Sequence, residues 1–231
     1  MSITRQAWLE LHDFTAESLT NPVIGYNPKT KIPVGTYEDD TPAFFNFENK
    51  GSLCLTGANA TRRSILGAQI LASISLLNTS DSAFFVWGLT PGSEAEKLLD
   101  LPQLYAVLNI DDSDQSQTWM QGLTDEIATR QGLLKEFSVQ SIDQLNDLDN
   151  DTVVPYCIVY LENLETCTPE IQDFVSTLAR VARTLNIFLL YTSAESNKGS
   201  GFDTALISDT ANTFTLSVDP NSEVHMFELD N

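Results

Sequence analysis

The chain has 231 residues, 42% of them hydrophobic, which is enough for one sizeable folded domain. Its 12 basic residues against 32 acidic ones give a net charge of −20. This balance argues against nucleic acid as a partner, because a protein that neutralises phosphates needs the opposite sign. A solvated acidic surface is the simpler interpretation, and a basic protein partner is the sharper alternative.

The cysteines and the first residues indicate the compartment. Cys54, Cys157 and Cys167 are odd in number and lack metal-ligand spacing, and the first two lie in apolar runs. The opening MSITRQAWLELHDF carries charges where a signal peptide needs an apolar stretch. No run approaches the length of a membrane span. These features predict a soluble protein in a reducing compartment.

The predicted elements begin with a strap. Residues 1–50 are rich in proline and glycine, which predicts a helical start, a strap and an edge strand near 44–47 packed on the core. Residues 51–231 are predicted to form the main domain, in one compact unit with the strap. Six short apolar runs there predict strands at 52–56, 83–87, 105–110, 156–161, 187–191 and 213–218. Runs that are apolar at every position are typical of strands covered on both faces.

Helical patterns at 64–77, 113–137, 169–185 and 202–208 alternate with these strands. Thr168 and Pro169 form a strong helix start, with a capping hydroxyl before proline at the first helical position. Alternation of strands and helices indicates right-handed crossovers. The sequence therefore predicts an α/β fold with a mostly parallel central sheet flanked by helices.

The stretch LCLTGANATRRSILGAQIL, residues 53–71, reads as a buried strand, a polar turn and an apolar helix. That is the layout of a phosphate-binding loop, and Gly57 and Ser64 have the correct separation. Arg62 and Arg63, however, stand where such a loop needs glycine and lysine, and a planar guanidinium is no substitute for a compact ammonium. An ordinary strand-to-helix turn stays the alternative.

A second stretch, VPYCIVYLENLE at 154–165, bears on the same chemistry. A phosphate-loop ATPase needs a second strand that ends in Asp, for the Mg²⁺ shell, followed by Glu, which polarises the attacking water. Here the strand runs into Glu162 and Asn163.

Five segments in order resemble an FtsK/SpoIIIE-type ATPase domain: IPVG (32–35), GANATRRS, ATRQGLLKEF with SIDQLN, VPYCIVYLEN, and LARVARTLNIFLLYTSAES. The resemblance covers roughly residues 30 to 216. It is strongest to the third, C-terminal ATPase module of the EssC/EccC family of type VII secretion. It implies a RecA-like P-loop NTPase sandwich. Met1 and the irregular opening fit a module taken from a longer polypeptide.

Aligning Pro155 and Tyr156 with the family places Glu162 at its Asp and Asn163 at its Glu. A shift of one residue instead places Leu161 at the Asp and keeps Glu162 as the catalytic Glu. We prefer the first register, because the strand length then agrees. The family's sensor triplet Thr-Gln-Arg falls on Ser193, Ala194 and Glu195, and the Arg before that strand falls on Arg183.

Three catalytic elements are therefore altered together, so the resemblance implies no catalytic residue, with Glu162, Asn163 and Arg183 as vestigial candidates. The degenerate phosphate loop comprises Gly57, Ala58, Asn59, Ala60, Thr61, Arg62, Arg63 and Ser64. We expect no cofactor, with ATP and Mg²⁺ bound weakly if at all. We expect no metal ligand except Ser64, and that only with Mg²⁺ bound.

The function implied is a non-catalytic or weakly nucleotide-binding module of a type VII secretion motor, which recognises substrates or regulates adjacent ATPase domains. The alternatives are an active ATPase that uses Arg63, Ser64 and Glu162, or a DNA-handling relative. The implied partners are the preceding ATPase modules of the same polypeptide and WXG-type helical substrates, with an oligomer in the full-length motor. We expect no nucleic acid, no direct membrane contact, and a cytoplasmic module of a membrane-anchored protein.

Other polar residues carry weaker signals. Asp111, Asp112 and Asp114 lack the glycine and terminal glutamate of a calcium loop, so a polar helix start is the preferred interpretation. His12 and His225 are predicted to be surface or capping residues. The three tryptophans, at positions 8, 87 and 119, are predicted to pack in the core or between segments. Arg180 and Arg183 could act as arginine fingers on a neighbour, but surface salt bridges are preferred.

Overall fold

A computed structural model of the chain describes residues 32–36, 42–47, 50–77, 83–101, 103–109, 112–148, 153–194 and 213–217. The strands and helices, in chain order, are β1 (Ile32–Thr36), β2 (Pro42–Phe45), β3 (Ser52–Thr56), α1 (Ala60–Leu77), β4 (Ala83–Leu89), β5 (Leu104–Asn109), α2 (Ser113–Glu136), α3 (Ile142–Asn146), β6 (Tyr156–Leu161), α4 (Pro169–Val181), β7 (Ile187–Ser193) and β8 (Thr213–Ser217). Short 3-10 helices cover Glu94–Leu98, Leu164–Thr166 and Ala182–Leu185.

Six strands form one parallel sheet in the order β5-β4-β6-β7-β3-β8. The side chains of β3 and β7 are buried at every position, as expected of strands covered on both faces. The predicted α/β class with a mostly parallel central sheet is confirmed. Because all six strands are parallel, their carboxyl ends lie along one edge, where ligands bind in open α/β sheets.

Helix α1 and the hairpin formed by β1 and β2 cover one face of the sheet. At Gly67 the helix comes so close to the sheet that an added Cβ would lie 2.4 Å from the Tyr160 hydroxyl. β2 pairs with β1 alone in the described sheets, so the strand expected near 44–47 lies outside the six-stranded sheet. Phe45 and Phe47 are nevertheless buried in the same core. The boundary at residue 50 stays a prediction.

Helices α2 and α4 cover the opposite face. Thr168 caps α4 as predicted, its side chain accepting from the Ile171 N–H. Asp112 caps α2 by accepting from the Asp114 and Gln115 backbone N–H groups, which confirms the helix-start interpretation. The bond from Gln115 N–H is the main cause that lowers the pKa of Asp112.

Helix α1 differs from expectation because it begins at Ala60, four residues before the start expected from the loop motif. The helix predicted at 202–208, the helical start, Trp8, Asp111, His12 and His225 lie outside the described residues. Trp87 and Trp119 are buried, as predicted. Within the described ranges no helix has the length and apolarity to cross a membrane.

Candidate functional site at the carboxyl edge of the sheet

The loop after β3 is short, because α1 starts only three residues beyond Gly57. The Asn59 side chain accepts from the Arg62 N–H at 3.1 Å, and the Asn59 carbonyl accepts from the Arg63 N–H at 3.2 Å. The first contact is an N-cap and the second is the bond of the first helical turn. Two backbone donors that a phosphate loop would direct at its ligand are therefore used inside the protein.

Arg63 lies in this first turn, and its side chain is buried, with 2% exposed. Its guanidinium donates to the Gly57 carbonyl, to Asn163 Oδ1 at 2.9 Å and to Glu165 Oε1 at 2.9 Å. The contact with Glu165 is an ion pair. The positive charge thus points back into its own loop and toward the residues that follow β6.

Ser64 stands where a phosphate loop presents its magnesium-binding hydroxyl. Its Oγ donates to Glu162 Oε1 at 2.8 Å and accepts from the Glu94 N–H at 3.2 Å. Glu162 is the residue directly after β6 and is 1% exposed. This contact agrees with the register that aligns Glu162 with the family's Asp, because that Asp and the loop hydroxyl share one metal shell.

The Glu162 carboxylate has two further donors. Tyr160 donates to Oε1 at 3.0 Å, and the Thr90 N–H donates to Oε2 at 3.0 Å. Burial, followed by the neighbouring carboxylate charge, raises the pKa of Tyr160 well above its ordinary value, so this phenol stays a neutral donor. The carboxylate is satisfied by groups of the protein itself.

Asn163 links the two halves of the site. Its amide nitrogen donates to Thr90 Oγ1 at 3.0 Å, and its backbone N–H donates to Thr192 Oγ1 on β7 at 2.8 Å. Its φ of 49° is in the left-handed region, which asparagine tolerates better than most residues. We call the connected set the Arg63 network: Gly57, Arg63, Ser64, Thr90, Glu162, Asn163 and Glu165.

The network brings together five of the eleven candidate residues taken from the sequence. Gly57, Arg63, Ser64, Glu162 and Asn163 meet, whereas Ala58, Asn59, Ala60 and Thr61 are exposed beside them. Arg183 lies elsewhere, on the 3-10 helix that precedes β7. An added Cβ at Gly51, before β3, would lie 3.3 Å from the Arg183 backbone nitrogen. Arg183 is therefore at the amino edge, and within the described ranges neither it nor Arg180 has an ion pair.

These groups do not fit a magnesium-bound triphosphate in the arrangement described. The phosphates would have to displace the Arg63 guanidinium from its three acceptors, and a metal ion would have to break the contact between Ser64 and Glu162. Where side chains are described, no cluster of three metal-ligating residues is present. The sensor position Ser193 offers only a hydroxyl, buried at the end of β7.

Two residues of this site have no motif that could reveal them. Glu165 and Thr90 lie on segments that the sequence marks only as polar connections. Glu165 lies four residues after the end of β6, and this closeness is the one feature of the sequence that could have suggested it as the ion-pair partner of Arg63. Thr90 becomes a neighbour only because β4 lies beside β6 in the sheet.

Comparison with solved structures identifies the fold. The cytoplasmic domain of EssC matches 83% of this chain with a TM-score of 0.71 and 19% identity. The cytoplasmic domain of the Thermomonospora curvata type VII secretion ATPase EccC matches 82% with a TM-score of 0.66 and 15% identity. ATPases 2 and 3 of the same EccC, in complex with a signal sequence peptide, match 78% with a TM-score of 0.51 and 15% identity.

The chain spans 38%, 25% and 31% of those three proteins, respectively. No family model matches the chain, and no match is found among curated proteins. The likeness confirms, at the level of fold, the resemblance to EssC and EccC ATPase domains stated from the sequence.

Proposed function

We propose that this chain is an ATPase-like module of a type VII secretion motor that does not hydrolyse ATP, and that it serves substrate recognition or regulation of adjacent ATPase domains. The shared fold supports the place in a motor. The module is cytoplasmic, and the protein that carries it is anchored in the membrane.

The observation that carries this proposal is the inward orientation of Arg63. A nucleotide would have to release a buried ion pair and two further hydrogen bonds of the guanidinium. Losing these contacts costs about 2–3 kcal/mol. At about 1.4 kcal/mol per factor of ten, this penalty weakens nucleotide binding at least about twentyfold.

The remaining catalytic positions support the same conclusion. Asn163 is neutral, so it cannot polarise a water as a carboxylate does. Glu162 is held by three donors of the protein, from Ser64, Tyr160 and Thr90. Phosphoryl transfer depends on several positioned charges acting together, and here Arg63 is paired with Glu165 while Glu162 is held by neutral donors.

Peptide recognition is the activity that remains for such a module. A related EccC structure contains a signal sequence peptide on ATPases 2 and 3. The partners we propose are WXG-type helical substrates and the preceding ATPase modules of the same polypeptide, assembled in an oligomeric motor. The net charge of −20 disfavours DNA, so a translocase of DNA is the weaker alternative.

Calorimetric titration with ATP and MgCl₂, together with a phosphate-release assay, tests the proposal. We expect no hydrolysis at nucleotide concentrations in the millimolar range, and a Kd for nucleotide that is weaker than the micromolar range. Arg62→Ala is the matched control, because Arg62 precedes Arg63 in the same helical turn and carries the same charge. Micromolar binding that is lost in Arg63→Ala but kept in Arg62→Ala would instead establish the active ATPase that uses Arg63, Ser64 and Glu162.

A gel-shift assay with duplex DNA at low salt tests the alternative that the chain is a DNA-handling relative. The proposal predicts no complex even where electrostatic binding is strongest. A stable complex at low ionic strength would favour the DNA-handling relative.

A further inference from the structure

A small cavity lies at the amino edge of the sheet, at the opposite edge from the Arg63 network. It lies between α3 and the 3-10 helix that precedes β7, and its volume is about 240 Å³. The described residues that line it are Ser141, Asp143, Arg183, Thr184, Asn186 and Phe188. We call it the amino-edge cavity.

The size of the amino-edge cavity limits its ligand. Sites for drug-sized molecules have volumes of about 300–1,000 Å³. At about 30 Å³ for each water, the amino-edge cavity has room for about eight water molecules. A ligand that fills it is therefore a small metabolite with about as many non-hydrogen atoms, and a nucleotide is too large.

Asn186 supplies a buried acceptor at the wall of this cavity. The residue is 1% exposed, and its Nδ2 donates to Asp143 Oδ1 at 2.9 Å. That bond fixes the orientation of the amide, because the reversed orientation would bring two oxygen atoms together. Asn186 Oδ1 has no hydrogen-bond donor in the part of the chain that the structure describes. An unpaired acceptor at this depth is costly, so a ligand that supplies a donor is favoured.

The backbone holds Asn186 in place through contacts that involve no ligand. Its φ of 53° is in the left-handed region, which asparagine tolerates better than most residues. Its carbonyl accepts from the Arg130 guanidinium at 3.3 Å and from the Cys157 N–H at 2.9 Å. The position of the amide is therefore set by the fold, and a preorganised acceptor of this kind lowers the cost of binding.

Two opposite charges line the cavity without pairing with each other. Asp143 contributes a carboxylate and Arg183 contributes a guanidinium. In the described ranges Arg183 has no ion pair, although acidic residues outnumber basic ones in the chain by 32 to 12. A simple anion would be repelled by Asp143, and a simple cation by Arg183. A molecule that carries both charges satisfies both groups.

We propose that the amino-edge cavity binds a free α-amino acid with a small apolar side chain. Its ammonium group donates to Asp143 and to Asn186 Oδ1, and its carboxylate accepts from Arg183. Phe188 is the one apolar residue among the described residues that line the cavity, and it contacts the side chain of the ligand. The Arg63 network lies at the other edge of the sheet, so this binding is independent of whether the module hydrolyses ATP.

Nuclear magnetic resonance titration of the isotope-labelled full chain tests the proposal with three probes. L-Valine carries both charges, N-acetyl-L-valine lacks the ammonium charge, and L-valinamide lacks the carboxylate. We expect L-valine to shift the backbone N–H signals of Asp143, Thr184 and Asn186 saturably, with a Kd of about 1 mM or tighter. We expect each of the other two probes to bind at least about tenfold more weakly, because one buried charge then stays unpaired.

Two matched pairs of variants locate the site. Arg183→Gln removes the guanidinium charge, and Arg180→Gln removes the same charge at an exposed position that does not line the cavity. Asp143→Asn removes the carboxylate charge but keeps an acceptor for Asn186 Nδ2, and Asp147→Asn at the end of α3 is its control. We expect Arg183→Gln and Asp143→Asn to weaken L-valine binding at least about tenfold, and the two controls no more than about twofold.

Three results would overturn the proposal. The first is the absence of a saturable shift with L-valine at concentrations up to about 20 mM. The second is equal binding of L-valine and either single-charge probe, which would mean that the site does not recognise a zwitterion. The third is an equal effect of Arg183→Gln and Arg180→Gln, which would place the binding outside the amino-edge cavity.

Discussion

Among the described residues, two arginines are almost fully buried, and they lie at opposite edges of the same sheet. Arg63 is at the carboxyl edge, where its acceptors are one carbonyl and the side chains of Asn163 and Glu165. Arg130, on α2, is at the amino edge. Its guanidinium donates to the carbonyls of Leu185 at 2.7 Å, Asn186 at 3.3 Å and Pro155 at 2.9 Å, and to Glu126 at 2.6 Å.

The acceptors of the two guanidinium groups show that the two arginines connect different parts of the fold. Arg130 holds the segments that lead into β6 and β7 against α2 by donating to the carbonyls of Leu185, Asn186 and Pro155. Arg63 instead joins the start of α1 to the end of β6, two elements that phosphates and a metal ion join in an active ATPase. Arg130 thus ties backbone segments to a helix, whereas Arg63 ties the start of α1 to the end of β6.

The largest effect is expected at Arg130. Arg130→Met leaves three buried carbonyls without this donor, and we expect the free energy of unfolding to fall by about 3–5 kcal/mol. Urea denaturation measures this change. Lys135→Met, at an exposed site on the same helix, is the control and should stay within about 0.5 kcal/mol. If Arg130→Met lowers the free energy of unfolding no more than Lys135→Met does, Arg130 is not the structural residue proposed here for the amino edge.

Arg63→Met should cost less, about 2–3 kcal/mol, because two of its three acceptors are the side chains of Asn163 and Glu165, which can turn to other donors. Arg130 instead donates to three backbone carbonyls, which are fixed in place. Arg63→Lys should recover only part of this, since one ammonium cannot span the three acceptors. Arg180→Met, at an exposed helical site, is the control. Urea denaturation of these variants ranks the losses in free energy of unfolding. A greater loss in Arg63→Met than in Arg130→Met would contradict the prediction.

The smallest expected change in stability concerns Cys157, whose thiol is influenced by the charge of Arg130. Burial raises the pKa of the Cys157 thiol to about 12, from an ordinary value of 9.0, while the Arg130 charge acts to lower it. The pKa of this thiol is higher in the folded chain than in the unfolded chain. The buried neutral thiol therefore contributes fully to the free energy of unfolding below pH 9, and this contribution is lost as pH rises from 9 toward 12. We expect a loss of about 1 kcal/mol by pH 10.

Denaturation of the wild type and of Cys157→Ala at pH 8.5 and pH 10 isolates this contribution. The stability difference between the two proteins should shrink by that amount at the higher pH. An unchanged difference would show that the thiol titrates normally in the folded protein. In Arg130→Met the pKa should rise further, because the lowering charge is gone.

The fold was predictable because its signals are local. Apolar runs placed β3, β6 and β7, and the hydroxyl of Thr168 before Pro169 placed the start of α4. The start of α1 was not predicted, although Asn59 is a strong N-cap residue. The motif at Gly57 predicted a loop that continues to residue 63. In the structure residues 60–63 are helical instead, and the Arg63 side chain contacts Asn163 and Glu165 inside the protein.

Those partners explain why the site was only partly predictable. Asn163 and Glu165 lie about a hundred residues from Arg63 in the sequence, and no spacing rule joins them. The sheet order brings them together. Arg130 lies in a segment that served to establish the resemblance, but its burial depends on the same tertiary arrangement.

The early start of α1 also has a consequence for engineering. Putting glycine and lysine back at positions 62 and 63 would change side chains on a helical turn that is already closed by Asn59. A revertant would have to unwind that turn before its backbone could surround an anion. We therefore expect that glycine and lysine at these two positions alone leave the chain path unchanged and do not produce ATP hydrolysis.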